Sequence, residues 1–120
     1  MYNYSESISL LINKFPVLKS IYEDDIDYYE NLPYVFYESI FVKYIMDNIQ
    51  SSNEIELINI FGFVEDLLLN GDEKIENLID VTVIESLYFE ESYDEFNTYL
   101  LKFCGDLTKK SFDDCFNHGR

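Results

Sequence analysis

Apart from its carboxylates, this 120-residue chain has few side chains able to do acid–base, nucleophilic or metal chemistry. His118 is the only histidine and stands beside the last two residues, Gly119 and Arg120. A general acid or base must be held within hydrogen-bonding reach of its substrate, which a terminal tail does not provide. Cys104 and Cys115 are the only cysteines. With no second histidine or cationic neighbourhood to lower a thiol pKa, they read as reduced residues, buried or half-buried. Two cysteines and one histidine do not make the usual four-ligand zinc site. There is no glycine-rich phosphate loop and no nucleophile elbow. The expectation is a protein that is not an enzyme and uses no cofactor or metal.

Carboxylates are the remaining chemistry. Asp24, Asp25, Asp27 and Glu30 form the densest run. Hard cations recruit such groups, but the spacing lacks the glycine and glutamate of a calcium-binding helix–loop–helix. That leaves a solvated loop or a patch facing a partner. Tyr28 and Tyr29 beside it offer rigid contact area with a polar tip, the kind used at interface hot spots, or simply half-buried packing. Glu73, Glu76 and Asp80 are three and four residues apart, so a helix sets them on one face with Cβ atoms roughly 5–6 Å from each other. No lysine shares that face. With Asp72 before them and Glu90, Glu91, Asp94 and Glu95 after them, these residues are the candidate partner-binding set.

The whole-chain balance points the same way. Twenty-four Asp and Glu against eight Lys and Arg give a formal net charge of −16. Such a field repels phosphate backbones and anionic membrane surfaces, so direct nucleic-acid and membrane binding are excluded as expectations. Between residues 54 and 95 there are 13 acidic side chains and one basic one, Lys74. Surplus acidity also favours solubility, which competes with a binding role as an explanation.

The elements that must position these groups are helices. Hydrophobic residues make up 48% of the chain, including ten Phe and eleven Tyr, while two Pro and four Gly leave little punctuation for a many-stranded fold. Helices are expected from Ser7 to Phe15, from Val17 to Tyr22 after Pro16, and from Pro33 to Ile49. Asn53 with Glu56 resembles a capping box, opening a helix whose row Leu57, Phe61, Val64 and Leu68 faces the core, flanked by Ile58, Ile60 and Leu67. Asn70 and Gly71 suggest a left-handed stop, and Asp72 caps the next helix, with row Ile75, Ile79, Val83 and Leu87. A strand remains an alternative for Val81 to Phe89 because of its β-branched content. Ser92 and Glu95 form a second possible capping box, and a short terminal helix with Phe112 and Phe116 closes the chain. The fold class expected is all-α: one domain, an orthogonal helical bundle or a short helical-repeat-like stack of about five to seven helices. Met1 is not followed by a basic region leading into an apolar run, so a cytoplasmic protein is expected.

The stretch Ile60 to Leu87, IFGFVEDLLLNGDEKIENLIDVTVIESL, resembles small acidic helical bacterial proteins found beside polymorphic and contact-dependent toxins. The resemblance rests on Phe61, Val64, Glu65 and Leu67 before Asn70, Gly71 and Asp72, and on Asn77, Leu78, Val81, Glu85 and Leu87 after them. It implies a cytoplasmic immunity protein that blocks a cognate toxin by stoichiometric binding, and it carries no binding residues across. Two other functions fit an acidic helical domain. One is a nucleic-acid mimic that inhibits a DNA- or RNA-acting protein. The other is a structural domain that self-associates through exposed Tyr and Phe.

Overall fold

Proline sets two of the helix starts. In a computed structural model, which describes residues 1–118, Pro16 opens α2 (Pro16–Asp24) directly after α1 (Ser7–Lys14). Pro33 opens α4, which runs as Pro33–Phe36, Tyr37–Phe41 and Val42–Gln50 without a break. Its fixed φ suits a first helical position, where an N–H would be unpaired anyway. A single turn, α3 (Ile26–Tyr29), lies between them. Asn53 then caps α5 (Glu54–Asn70), its side chain accepting from the Glu56 N–H at 3.3 Å. The reciprocal half of the expected capping box does not form. Glu56 instead accepts from the Tyr44 hydroxyl and the Asn59 amide, and the Asn53 N–H donates to the Asn48 carbonyl.

Asp72 caps α6, built of Glu73–Ile79, Asp80–Ile84 and Glu85–Tyr88, by accepting from the Ile75 N–H at 2.9 Å. The stretch 81–88 is therefore helical and not a strand. Its β-branched residues lie around a wide turn at Asp80–Ile84, with Thr82 donating back to the Leu78 carbonyl at 2.6 Å. Tyr37–Phe41 of α4 is a second wide turn, and the two pack against each other. The helices α7 (Tyr93–Leu101) and α8 (Asp106–His118) complete an all-α bundle of eight helices among the described residues. Ser92 precedes α7 but makes no side-chain cap, so the second proposed capping box is absent.

One continuous core joins the elements. Phe15, Phe41 and Phe63 form a ring triangle with centroids 5.5 to 5.9 Å apart, bringing α1, α4 and α5 together. The buried Tyr37 hydroxyl donates to the Ser7 carbonyl at 2.7 Å, satisfying the one polar atom that this large side chain takes inside. On α5 the expected core row and its flank hold with two exceptions. Ile58 is exposed and Leu68 only half-buried, because α5 packs on α4, α6 and α8 and leaves its fourth side open.

Gly71 differs from expectation in its physical role. Its φ of −85° and ψ of 159° are extended, so no left-handed stop is present. Glycine is needed for space, since a Cβ would lie 2.4 Å from Ile75 Cγ2 and 2.5 Å from the Leu67 carbonyl oxygen. The N-terminal segment uses this flat turn. Tyr2 donates its N–H to the Asn70 carbonyl at 2.8 Å, accepts from the Asp72 N–H at 2.9 Å, and places its hydroxyl 2.7 Å from Asp66.

Glu65 ties α5 to α8. Its carboxylate accepts from the Leu107 N–H at 3.0 Å, the Thr108 N–H at 2.9 Å and the Thr108 hydroxyl at 2.8 Å, capping α8 from 42 residues away. Gly105 makes room for it, because a Cβ there would come within 2.4 to 2.6 Å of the Glu65 side chain. Burial alone would push the Glu65 carboxyl up, but the three hydrogen bonds outweigh it and hold the pKa below the ordinary value.

Removing this cap in Glu65→Ala is expected to lower stability by about 2 kcal/mol, read as a shift of the urea midpoint. A lowered folded-state pKa contributes stability above the ordinary glutamate range, lost as pH falls through the folded value. The gap between wild type and Glu65→Gln should therefore be widest at neutral pH and close on acidification below about pH 4.5. Gly71→Ala should also destabilise, by about 1 to 3 kcal/mol, since a backbone oxygen stands in the way of the added methyl. An unchanged melting midpoint in that variant would contradict the spatial account.

Candidate protein-binding surface

The turn between α6 and α7 collects acids around aromatic rings. It begins where α6 ends at Tyr88 and continues through Phe89, Glu90, Glu91 and Ser92 to the first turn of α7. Tyr93 is the anchor. Its ring is buried, lies 5.5 Å from Phe96 and stacks on Phe112 of α8 at 5.8 Å, while Tyr88 packs on it at 5.1 Å. Burial pushes the Tyr93 hydroxyl up to about 12, with Cys104, Tyr88, Cys115 and Asp113 adding to the shift. This hydroxyl is therefore a neutral hydrogen-bonding group at any physiological pH.

Around that anchor lies a cleft of about 350 Å³, lined by Tyr88, Glu90, Glu91, Tyr93, Asp94, Asn97 and Phe116. Three carboxylates line it, and among the described residues no lysine or arginine does. Phe116 comes from the last turn of α8 and is 77% exposed, and the neighbouring Phe89 is also solvent-exposed. Large exposed rings beside unneutralised acids are not what solubility alone requires. The arrangement fits a cationic group, because carboxylates accept from ammonium or guanidinium donors while a ring face attracts the same charge.

Of the residues singled out from sequence, Glu90, Glu91 and Asp94 meet in this cleft. Glu95 is exposed one residue further on and is not among its lining. The other candidates are dispersed. Asp24, Asp25 and Asp27 are exposed at the corner between α2 and α3. Tyr28 is exposed there, whereas Tyr29 is half-buried with its ring 4.9 Å from Phe36. Asp72 is committed to the fold, accepting from the Ile75 N–H and, through its other oxygen, from the Tyr4 N–H at 3.2 Å. Glu73, Glu76 and Asp80 do not act as one bare acidic face. Glu73 shares a surface depression with Lys74, and Glu76 and Asp80 line a crevice of about 80 Å³ together with Lys110 of α8. That lysine comes from a distant helix, where a single-helix reading does not see it.

The cleft's aromatic half is what sequence reasoning missed. Tyr88, Tyr93, Asn97 and Phe116 come from three helices, and Phe112 and Phe116 are placed alike in one terminal helix by sequence although only Phe112 is buried. The density of rings on both sides of Glu90 and Glu91 was the available signal. Elsewhere, Cys104 and Cys115 are buried, and burial pushes the Cys104 thiol up to about 12. His118 is exposed in the last turn of α8, while Gly119 and Arg120 fall outside the described residues. Among the described residues, no helix is long and apolar enough to cross a membrane.

The residues that carry the resemblance noted above fall mostly inside the fold. Phe61, Val64, Leu67, Leu78 and Leu87 are buried, and Glu65 caps α8. No curated protein and no solved structure matches this chain. A family profile does, over residues 8–118, and its span takes in every helix but the first residue of α1. The chain belongs to that family, described as Domain of unknown function (DUF7674).

Proposed function

We propose that this chain is a binding protein, not an enzyme, that neutralises a basic protein partner by covering it stoichiometrically, in the manner of a toxin-immunity protein. The observation that carries the reading is the cleft at the α6–α7 turn, where Glu90, Glu91 and Asp94 surround Tyr88, Tyr93 and Phe116 with no cation among the described lining residues. A net charge of −16 steers a basic partner toward the chain, and the cleft supplies a place for one of its lysine or arginine side chains. The resemblance at Ile60 to Leu87 makes a bacterial toxin domain the class of partner, and a cytoplasmic location belongs to the same reading. Large exposed rings favour a protein over a phosphate-track mimic, which needs carboxylates at regular spacing and no aromatic contact area.

The test is capture of the neighbouring gene product, and of proteins from the native host, by tagged wild-type chain and by Glu90→Lys/Glu91→Lys/Asp94→Lys. The expected result is one basic protein bound one to one, released at high salt and held at least tenfold more weakly by the triple variant. Phe116→Ala should weaken it further with little change in salt dependence. Equal capture by wild type and triple variant would move the interface elsewhere, and recovery of the tagged chain without any partner would remove the inhibitor reading.

A further inference from the structure

Helix α5 carries apolar residues on its outward side as well as its inward one. Its inward residues Leu57, Ile60, Phe61, Phe63, Val64 and Leu67 are buried, yet Ile55, Ile58 and Leu69 are 78, 59 and 67% exposed. The steps of three, four and seven residues set Ile55, Ile58, Gly62 and Leu69 in one outward row, with the spacing by which helices pack on helices. Gly62 sharpens the point. A Cβ at this position would meet no atom within 4 Å, so nothing within the subunit requires glycine there, although glycine weakens a helix interior. What glycine permits is the close approach of another backbone.

Two observations name the occupant. The first is symmetry: Gly62 is the midpoint of α5, and Ile55 and Leu69 stand seven residues before and after it. A two-fold axis through Gly62 sets two antiparallel copies of α5 glycine to glycine and Ile55 of each against Leu69 of the other, the self-complementarity an isologous contact demands. The second is charge. Copies of a −16 chain repel one another wherever their carboxylates meet, but the two carboxylates beside Gly62, Glu65 and Asp66, are both engaged within the subunit. Glu65 accepts from the Leu107 and Thr108 N–H groups of α8, and Asp66, which falls opposite Ile58 in such a pairing, accepts from the Tyr2 hydroxyl at 2.7 Å and the Asn70 amide at 2.6 Å. A basic partner is drawn instead to the carboxylates of the α6–α7 cleft. We infer that the outward face of α5 is a homodimer interface centred on Gly62, separate from the surface that binds the basic partner.

The experiment is sedimentation of the full chain between about 10 and about 500 µM at low and high salt. Mass should rise from one chain to two with concentration, and more readily at high salt, because screening relieves the repulsion between the copies. That salt dependence is opposite in sign to the one expected of the acidic cleft, so the two readings fail separately. Ile55→Lys and Leu69→Lys should stay single at every concentration with unchanged circular dichroism, since both side chains are exposed in the subunit. Gly62→Ala should melt at a higher temperature when dilute yet dimerise at least tenfold more weakly. A chain that is single under all conditions, or a dimer indifferent to these substitutions, would overturn the inference. So would loss of basic-partner capture in Ile55→Lys, which would give the face to the partner.

Discussion

Much of the arrangement depends on one carboxylate. Glu65 sits within α5, half-exposed among the many acids of its segment, and reaches past Gly105 to take the first free N–H groups of α8. A helix start buried without such a partner would leave backbone donors unsatisfied, at a cost comparable to the hydrogen bonds lost. With the cap in place, α8 lies along α5 and α6 and brings Thr108, Phe112 and Cys115 into the core. Phe112 then backs Tyr93, and Phe116, one turn further on, becomes a wall of the acidic cleft. The helix that completes the candidate binding surface is thus oriented by an acid that takes no part in that surface.

The chain's surplus of negative charge is handled in three different ways. Glu65, Asp66 and Asp72 are used as hydrogen-bond acceptors that hold distant segments. Glu76 and Asp80 share their crevice with Lys110. Glu90, Glu91 and Asp94 stand around aromatic rings in a cleft whose lining, among the described residues, includes no lysine or arginine. Counting acids along the sequence gives all of these equal weight, whereas their surroundings separate structural groups from those left available to a partner.

Local rules made the helices legible. The prolines at 16 and 33, the caps at Asn53 and Asp72, and the apolar rows of α4 to α8 act within a turn or two, so neighbouring residues reveal them. Ser92 and Glu95 have the right spacing for a capping box, but the chain enters α7 from a bend that leaves the serine side chain unused. Gly71 has the right type for a left-handed stop, but Tyr2 pairs on either side of it and holds it extended. The acids of the cleft were legible as a cluster. Its rings were not, because Phe116 reaches them through the placement of α8, a long-range outcome of packing that no periodicity encodes.

The wide turns at Tyr37–Phe41 and Asp80–Ile84 carry a consequence for how this chain can vary in length. A turn of this kind is an α-helix holding one extra residue, so losing one residue there restores regular winding and leaves both flanks in register. Losing one anywhere else in α4 or α6 rotates everything beyond it by about 100° and turns a core row toward water. Single-residue deletions accumulating over generations should therefore collect at these two places within α4 and α6, with the turn after Tyr88 keeping its orientation throughout.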